Sequence, residues 1–122
     1  MIDQAHERAR AMYGSAIGRK RNELVTPALI LDLEILRRNI ALMAELMKTK
    51  PAKLRPHIKV HKSPDIARMQ MQAGAIGIGT ATIWEAIVIA RTGVTDVFVI
   101  NEVVGSEKIL SLIHISEPTR PY

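Results

Sequence analysis

Hydrophobic and polar positions change period several times along this chain, and each change predicts an element. The apolar run at residues 27–33 (Pro-Ala-Leu-Ile-Leu-Asp-Leu) predicts a short strand opened by proline. Asp32 then suits a helix N-cap, and Glu34 suits the first helical turn. Leu36, Ile40, Met43 and Met47 follow at i, i+4, i+7 and i+11, one face of a helix of about four turns. Pro51 closes that helix. From Lys53 to His61 the period falls to two, which predicts a strand. Ser63-Pro64-Asp65 supplies a cap, a proline at the first helical position and an acid in the first turn. Ile66, Met69 and Ala73 give that helix its buried stripe, and Gly74 stops it. Residues 75–81 predict a strand whose Gly77 and Gly79 mark a close approach of another group. Thr82-Ile83-Trp84-Glu85 reads as a capping box for a helix that runs to Thr92 and ends at Gly93. Residues 95–100 predict a third strand ending in Asn101-Glu102, and Gly105-Ser106 begins one more helix.

Strand, helix, strand, helix, strand, helix with short glycine turns indicates a parallel α/β sheet. Ile58, Ile78 and Val99 fall at comparable places roughly 20 residues apart, a tight spacing that fits a (β/α)8 barrel. About three β/α units are too few to close such a barrel, so the expected fold is a fragment of a (β/α)8 barrel, with the barrel not closed. A doubly wound sheet is the alternative, although no G-x-G-x-x-G opens a helix after the first strand. Ahead of this region, residues 1–23 read as a polar leader. Ala5, Ala9 and Met12 allow one or two amphipathic turns, and Gly14 and Gly18 break anything longer.

Composition narrows the function classes. The chain has 122 residues, enough for one domain at most, and no cysteine, which excludes disulfides and thiolate chemistry and suits a reducing cytoplasm. No apolar run reaches the length of a membrane span, and His6, Glu7, Arg8 and Arg10 interrupt the start as a secretory signal would not allow. The net charge of +5 raises nucleic acid as a partner. The basic residues are scattered, however, and no aromatics interleave to stack on bases.

The C-terminal residues stand apart. Ser111 to Arg120 (Ser-Leu-Ile-His-Ile-Ser-Glu-Pro-Thr-Arg) resembles the in-frame translation of a transposon-end sequencing adapter, TCT CTT ATA CAC ATC TCC GAG CCC ACG AGA. Residues 111–122 are accordingly set outside the fold, His114 is given no ligand role, and residues 24–110 are expected to form the partial barrel domain.

Candidate chemistry concentrates in Arg55-Pro56-His57-Ile58-Lys59-Val60-His61-Lys62. Period two puts Arg55, His57, Lys59 and His61 on one face and Ile58 and Val60 on the other. A lysine crowded by cations in apolar surroundings is how an amine becomes nucleophilic near neutral pH, which makes Lys59 a candidate Schiff-base lysine. A solvated basic edge strand explains the same spacing. His57 and His61 bring no third ligand at credible spacing, so no metal site is expected here.

Three stretches together resemble one family. They are Thr26-Pro27-Ala28-Leu29-Ile30-Leu31-Asp32, the Arg55–Lys62 motif continuing into Ser63-Pro64, and Asn101-Glu102-Val103-Val104-Gly105. The family is the D-threonine aldolase / D-serine dehydratase-like group of fold-type III pyridoxal-phosphate enzymes, related to alanine racemase. The resemblance implies that Lys59 carries the cofactor covalently, that Arg55, His57 and His61 are candidates for tuning it or touching its oxygens, and that Lys62 is solvated or paired. It also implies an N-terminal barrel, which makes these units the N-terminal fragment of a (β/α)8 barrel, followed by a β domain, to which the strand near residues 29–33 would belong. The implied activity is D-threonine aldolase-like cleavage of D-3-hydroxy amino acids to glycine and an aldehyde. D-serine dehydratase-like β-elimination is the close alternative, and a non-catalytic pyridoxal-phosphate-binding protein is a second. A basic nucleic-acid-binding module is the reading from another class, and it predicts salt-dependent binding without cofactor absorbance. The implied partner is a small D-amino acid, with no nucleic acid and no membrane; a homodimer and a divalent ion are left open for the full-length enzyme. With three of eight units and open sheet edges, the polypeptide by itself is expected to be inactive and prone to aggregate.

Overall fold

The computed structural model describes residues 2–116. The chain falls into two units divided after Asp32. In the first, helix α1 (Ile2–Tyr13) is 12 residues long, more than the one or two turns expected, and it stops at Gly14. Two 3-10 turns follow at Gly14–Ala16 and Arg21–Glu23, with Gly18 at φ 81° between them. None of the unit's residues whose exposure is described is buried. The strand expected at residues 27–33 does not form: residues 27–32 are irregular, Leu29 is fully exposed, and Leu33 already belongs to the next helix. The run has the composition of a strand, but a strand needs a neighbouring edge to hold its backbone groups.

The second unit begins with helix α2 (Leu33–Lys48), directly after Asp32, with Glu34 in its first turn and Lys48 in its last. Leu36, Ile40, Ala44 and Met47 are half-buried, which matches the expected stripe except at Met43. Met43 instead helps line a cavity of about 380 Å³ with Leu36, Ile40, Leu54, Pro56 and Gln70. No residue of α2 is fully buried, so this helix contributes little packing energy to the unit.

The sheet is parallel throughout. Its first member, residues 54–58, is joined to the next by Ile58 N–H to Gly79 O (3.0 Å), Gly79 N–H to Pro56 O (2.8 Å) and Ile76 N–H to Leu54 O (2.9 Å). Strand β1 (Ile78–Thr80) then pairs with β2 (Val97–Val99) in the register Ile78 to Val97, Gly79 to Phe98 and Thr80 to Val99. Together with the His57–Gly79 bridge, that register places Ile58, Thr80 and Val99 in one layer. Ile78 lies two residues earlier, level with Val97, so the equivalence of Ile58, Ile78 and Val99 read from spacing is corrected at its middle member.

Helix α3 (Pro64–Gln72) connects 54–58 to β1. Ser63 Oγ accepts from Ile66 N–H at 3.4 Å, Pro64 stands at the start, and Gly74 at φ 102° turns the chain away, as its sequence signals predict. Helix α4 (Ile83–Ala90) connects β1 to β2, and Gly93 at φ 89° follows it. Helix α5 (Ser106–Ser116) comes last; it includes residues 111–116 of the segment read as adapter, while residues 117–122 lie outside the described residues. The core is the helix-facing side of the sheet: Ile58, Ala67, Ile78, Ile89 and Val94, with Met71 and Val97 against it. Each fully buried isoleucine there contributes about 1.5–3 kcal/mol through area removed from water. On the other side, Phe98 and Ile100 remain 57% and 46% exposed. That exposed apolar face, together with the short sheet, is the unclosed interior of a barrel.

Candidate functional site

Barrel-type α/β folds carry their chemistry at the C-terminal ends of the strands. Here those ends are the turn after residue 58, Ala81-Thr82 after β1, and Asn101-Glu102 after β2. The last two are tied together: Ile100 N–H donates to Thr80 O at 2.8 Å, and Asn101 Nδ2 donates to Ala81 O at 3.3 Å. Thr80 is polar in sequence but wholly buried, its hydroxyl without a partner, because it shares the helix-facing layer with Ile58.

The turn bearing Lys59 is closed by Lys62 N–H donating to Ile58 O at 2.8 Å. Lys62 sits at φ 50°, a left-handed conformation that costs a residue with a Cβ about 1 kcal/mol. Both histidines brace the turn from within. Lys59 N–H donates to His57 Nδ1 at 3.1 Å, and Ser63 N–H donates to His61 Nδ1 at 3.0 Å. With Nδ1 an acceptor in each, the neutral ring carries its proton on Nε2.

This turn overturns the expected basic face. Ile58 is buried at 1% exposure, whereas Val60, assigned to the same side, is 87% exposed. The two-residue alternation stops where the chain leaves the sheet. His61 is packed towards α3: its Nε2 and Gln70 Oε1 are both buried without a hydrogen bond of normal geometry. Burial pushes the His61 imidazole below its ordinary range, and the neighbouring Gln70 only partly offsets this. At the opposite end of the segment, Arg55 grips Asp96 with both arms, Nη1 to Oδ1 at 2.7 Å and Nη2 to Oδ2 at 2.9 Å. Arg55 lies four residues before Lys59, roughly 13 Å along an extended chain. The four basic side chains therefore do not gather around Lys59.

Gly77 and Gly79 explain how the sheet accepts these neighbours. A Cβ at Gly77 would collide with Arg55 Nη1 and the Asp96 carbonyl, and one at Gly79 would collide with Ile100 Cδ1. The close approach expected at both glycines is thus made by side chains and, at Gly77, also a backbone carbonyl of the flanking segments.

Two connections were not legible in the sequence. One is the Arg55–Asp96 pair. The other is Glu85, read only as a capping residue. Thr82 Oγ1 does accept from Glu85 N–H at 3.2 Å, but the Glu85 carboxylate reaches further, accepting from Ala81 N–H at 2.8 Å and pairing with Lys62 Nζ at 3.2 Å. Burial pushes the Glu85 carboxyl up, yet the Ala81 and Lys62 contacts outweigh it and leave the group below its ordinary range. Lys62 is paired, as expected. Lys59 is exposed, and among the described residues its amine has no hydrogen-bond or ion-pair partner. No three His, Cys, Asp or Glu side chains gather as a metal would require among the described residues, and no helix there is long and apolar enough to cross a membrane.

A parallel sheet covered by helices on one side is part of a β/α barrel, and Lys59 follows the C-terminal end of its first strand. Comparison with known families carries this further. Residues 31–117 match the alanine racemase N-terminal domain, and the chain belongs to that family. A 3-hydroxy-D-aspartate aldolase of Paracoccus denitrificans (strain Pd 1222) is 41% identical over 93 residues, covering 75% of this chain and 24% of that protein. The crystal structure of a D-threonine aldolase from Filomicrobium marinum superposes with a TM-score of 0.73 at 46% identity, covering 75% of this chain and 25% of that one. The D-threo-3-hydroxyaspartate dehydratase from Delftia sp. HT23 gives 0.69 at 34% identity, covering 76% and 24%. The chain thus spans about a quarter of the length of each of these relatives.

Proposed function

We propose that this chain is the cofactor-anchoring part of a pyridoxal-phosphate-dependent D-amino-acid lyase, with Lys59 as the anchoring amine. The observation that carries the reading is the contrast between two exposed lysines at one strand end: Lys62 pairs with Glu85, and the Lys59 amine has no partner among the described residues. An aldehyde-bearing cofactor needs a primary amine free to exchange, so the residues present fit that end of the group. Bound there, pyridoxal phosphate supplies an electron sink that stabilises negative charge developing at the substrate Cα.

The protein's own groups do the rest. The Ile58–Lys62 turn presents the Lys59 amine at the open end of the sheet, and His57 holds the Lys59 backbone through Nδ1. His57 shares the barrel-facing register with Gly79 and Phe98, and its Nε2–H is available as a donor to cofactor or substrate oxygen. Arg55 and His61, candidates on sequence grounds, act in this reading on the scaffold: one locks the far end of the sheet, the other packs on α3.

The relatives' names share one chemical feature, a D-amino acid with a hydroxyl on the carbon next to Cα. We place the substrate in that class. Aldol cleavage to glycine and an aldehyde is the favoured reaction, because relatives from several sources bear aldolase names; loss of the hydroxyl is the second reading, supported by the Delftia enzyme's name. Residues 24–110 form the barrel segment in this reading, with residues 111–122 as adapter.

Borohydride trapping tests the anchor. At stoichiometric pyridoxal phosphate, reduction followed by peptide mapping is expected to place the pyridoxyl group on Lys59, and Lys59→Ala is expected to remove it. Label spread evenly over the surface lysines of the wild-type chain would refute the assignment.

A further inference from the structure

We propose that Glu85 is a positioning residue that selects between two adjacent amines, holding Lys62 out of the chemistry so that Lys59 alone takes the cofactor aldehyde. This rests on the assignment of Lys59 and adds the reason for its choice over a second lysine three residues away.

The chemical problem is plain. Lys59 and Lys62 leave the same strand end, and any unprotonated primary amine there condenses with an aldehyde. Condensation requires the ammonium to lose a proton to solvent. The nitrogen then forms a C=N bond to the aldehyde carbon, and the aldehyde oxygen departs as water with the two remaining amine protons. An amine engaged by a carboxylate must also give up that contact before it can reach the aldehyde. Lys62 Nζ lies 3.2 Å from Glu85 Oε1, whereas no carboxylate among the described residues pairs with Lys59.

The geometry gives Glu85 a second hold. Its side chain is only 10% exposed, and its other oxygen accepts from Ala81 N–H at 2.8 Å. One carboxylate in the first turn of α4 therefore joins the chain just past β1 to the residue that ends the Lys59 turn. Lys62 itself sits at φ 50° and closes that turn through its backbone N–H to Ile58 O. Both side chains are exposed, but the Lys62 ammonium is drawn towards α4, whereas no carboxylate among the described residues holds the Lys59 amine at the sheet end.

The test compares labels within one molecule, so a general loss of folding does not imitate the result. Pyridoxal phosphate is added at stoichiometric concentration to the wild-type 122-residue chain and trapped with borohydride, which delivers hydride to carbon while solvent supplies the proton to nitrogen. Peptide mapping then gives the ratio of label on Lys59 to label on Lys62. Glu85→Gln, which keeps an acceptor for Ala81 N–H but loses the charge, is expected to lower that ratio about fivefold. Lys62→Arg, which preserves the pair without a competing amine, is expected to leave Lys59 labelling at the wild-type level. A second measurement needs no variant. Limiting acetic anhydride is expected to acetylate Lys62 several-fold more slowly than the exposed Lys53 in the wild-type chain. An unchanged label ratio in Glu85→Gln, or equal acetylation of Lys62 and Lys53, would overturn the proposal. Absence of wild-type label from Lys59 would instead sink the assignment on which it rests.

Discussion

The two ends of this small parallel sheet use the same kind of residue for opposite purposes. At the N-terminal end, Arg55 lies across Gly77 to clasp Asp96 through two hydrogen bonds, joining the first and third strands over the middle one. At the C-terminal end, Glu85 ties up Lys62 and leaves Lys59 exposed. Both ends are basic in sequence. One has its charge satisfied by a carboxylate at the edge of the sheet, and the other keeps the Lys59 amine without a partner among the described residues. A parallel sheet allows this division, because all strands start at one end and finish at the other, so the Arg55–Asp96 clasp and Lys59 are separated by the strand length.

The sharpest way to break the comparison is Lys59→Ala, which is expected to abolish specific cofactor trapping while leaving the urea midpoint of the chain unchanged. A variant at the other end is expected to do the reverse. Between the two ends, Ile78→Ala empties the middle of the core, where Ile78 is wholly buried, and is expected to cost about 2–5 kcal/mol in urea denaturation. Gly77→Val is expected to lower the urea midpoint by forcing a Cβ against Arg55 and the Asp96 carbonyl, with little further loss when combined with Arg55→Ala. Additive losses would show that the glycine serves some purpose other than the passage of Arg55.

Smaller effects appear with pH. The Arg55 guanidinium, mainly through its hydrogen bonds, holds the Asp96 carboxyl below the usual range. The folded value lies under the unfolded one, so this contribution is present above about pH 4 and is lost as pH falls through the lowered value. His61 is displaced downward as well, by burial. Protonation therefore favours the unfolded chain, and stability is expected to decline as pH falls below about 6.5. His61→Leu is expected to flatten the decline near neutrality and leave the acid limb, and Asp96→Asn to do the opposite. If either variant altered both limbs, the two ends would not be independent.

How much of this was legible in the sequence depended on the distance over which each cause acts. Ser63-Pro64-Asp65 and Gly74 start and stop α3 where the sequence places them, because caps and left-handed glycines act within one turn. The strand expected at residues 27–33 failed because its apolar composition says nothing about whether an edge is present to receive it. Period two correctly placed Ile58 in the core and failed at Val60, where the Ile58–Lys62 hydrogen bond bends the chain out of the sheet. The role of Arg55 was out of reach, since its partner lies 41 positions away.

The sequence by itself determined the order of strands and helices, the turns between them and the presence of a lysine just beyond a strand. Those are local matters of period, capping and glycine. Only the tertiary structure decided which cations are free. A charge is satisfied or left open by the carboxylate that the fold brings to it, and Asp96 and Glu85 reach Arg55 and Lys62 only when the parallel sheet and α4 are assembled.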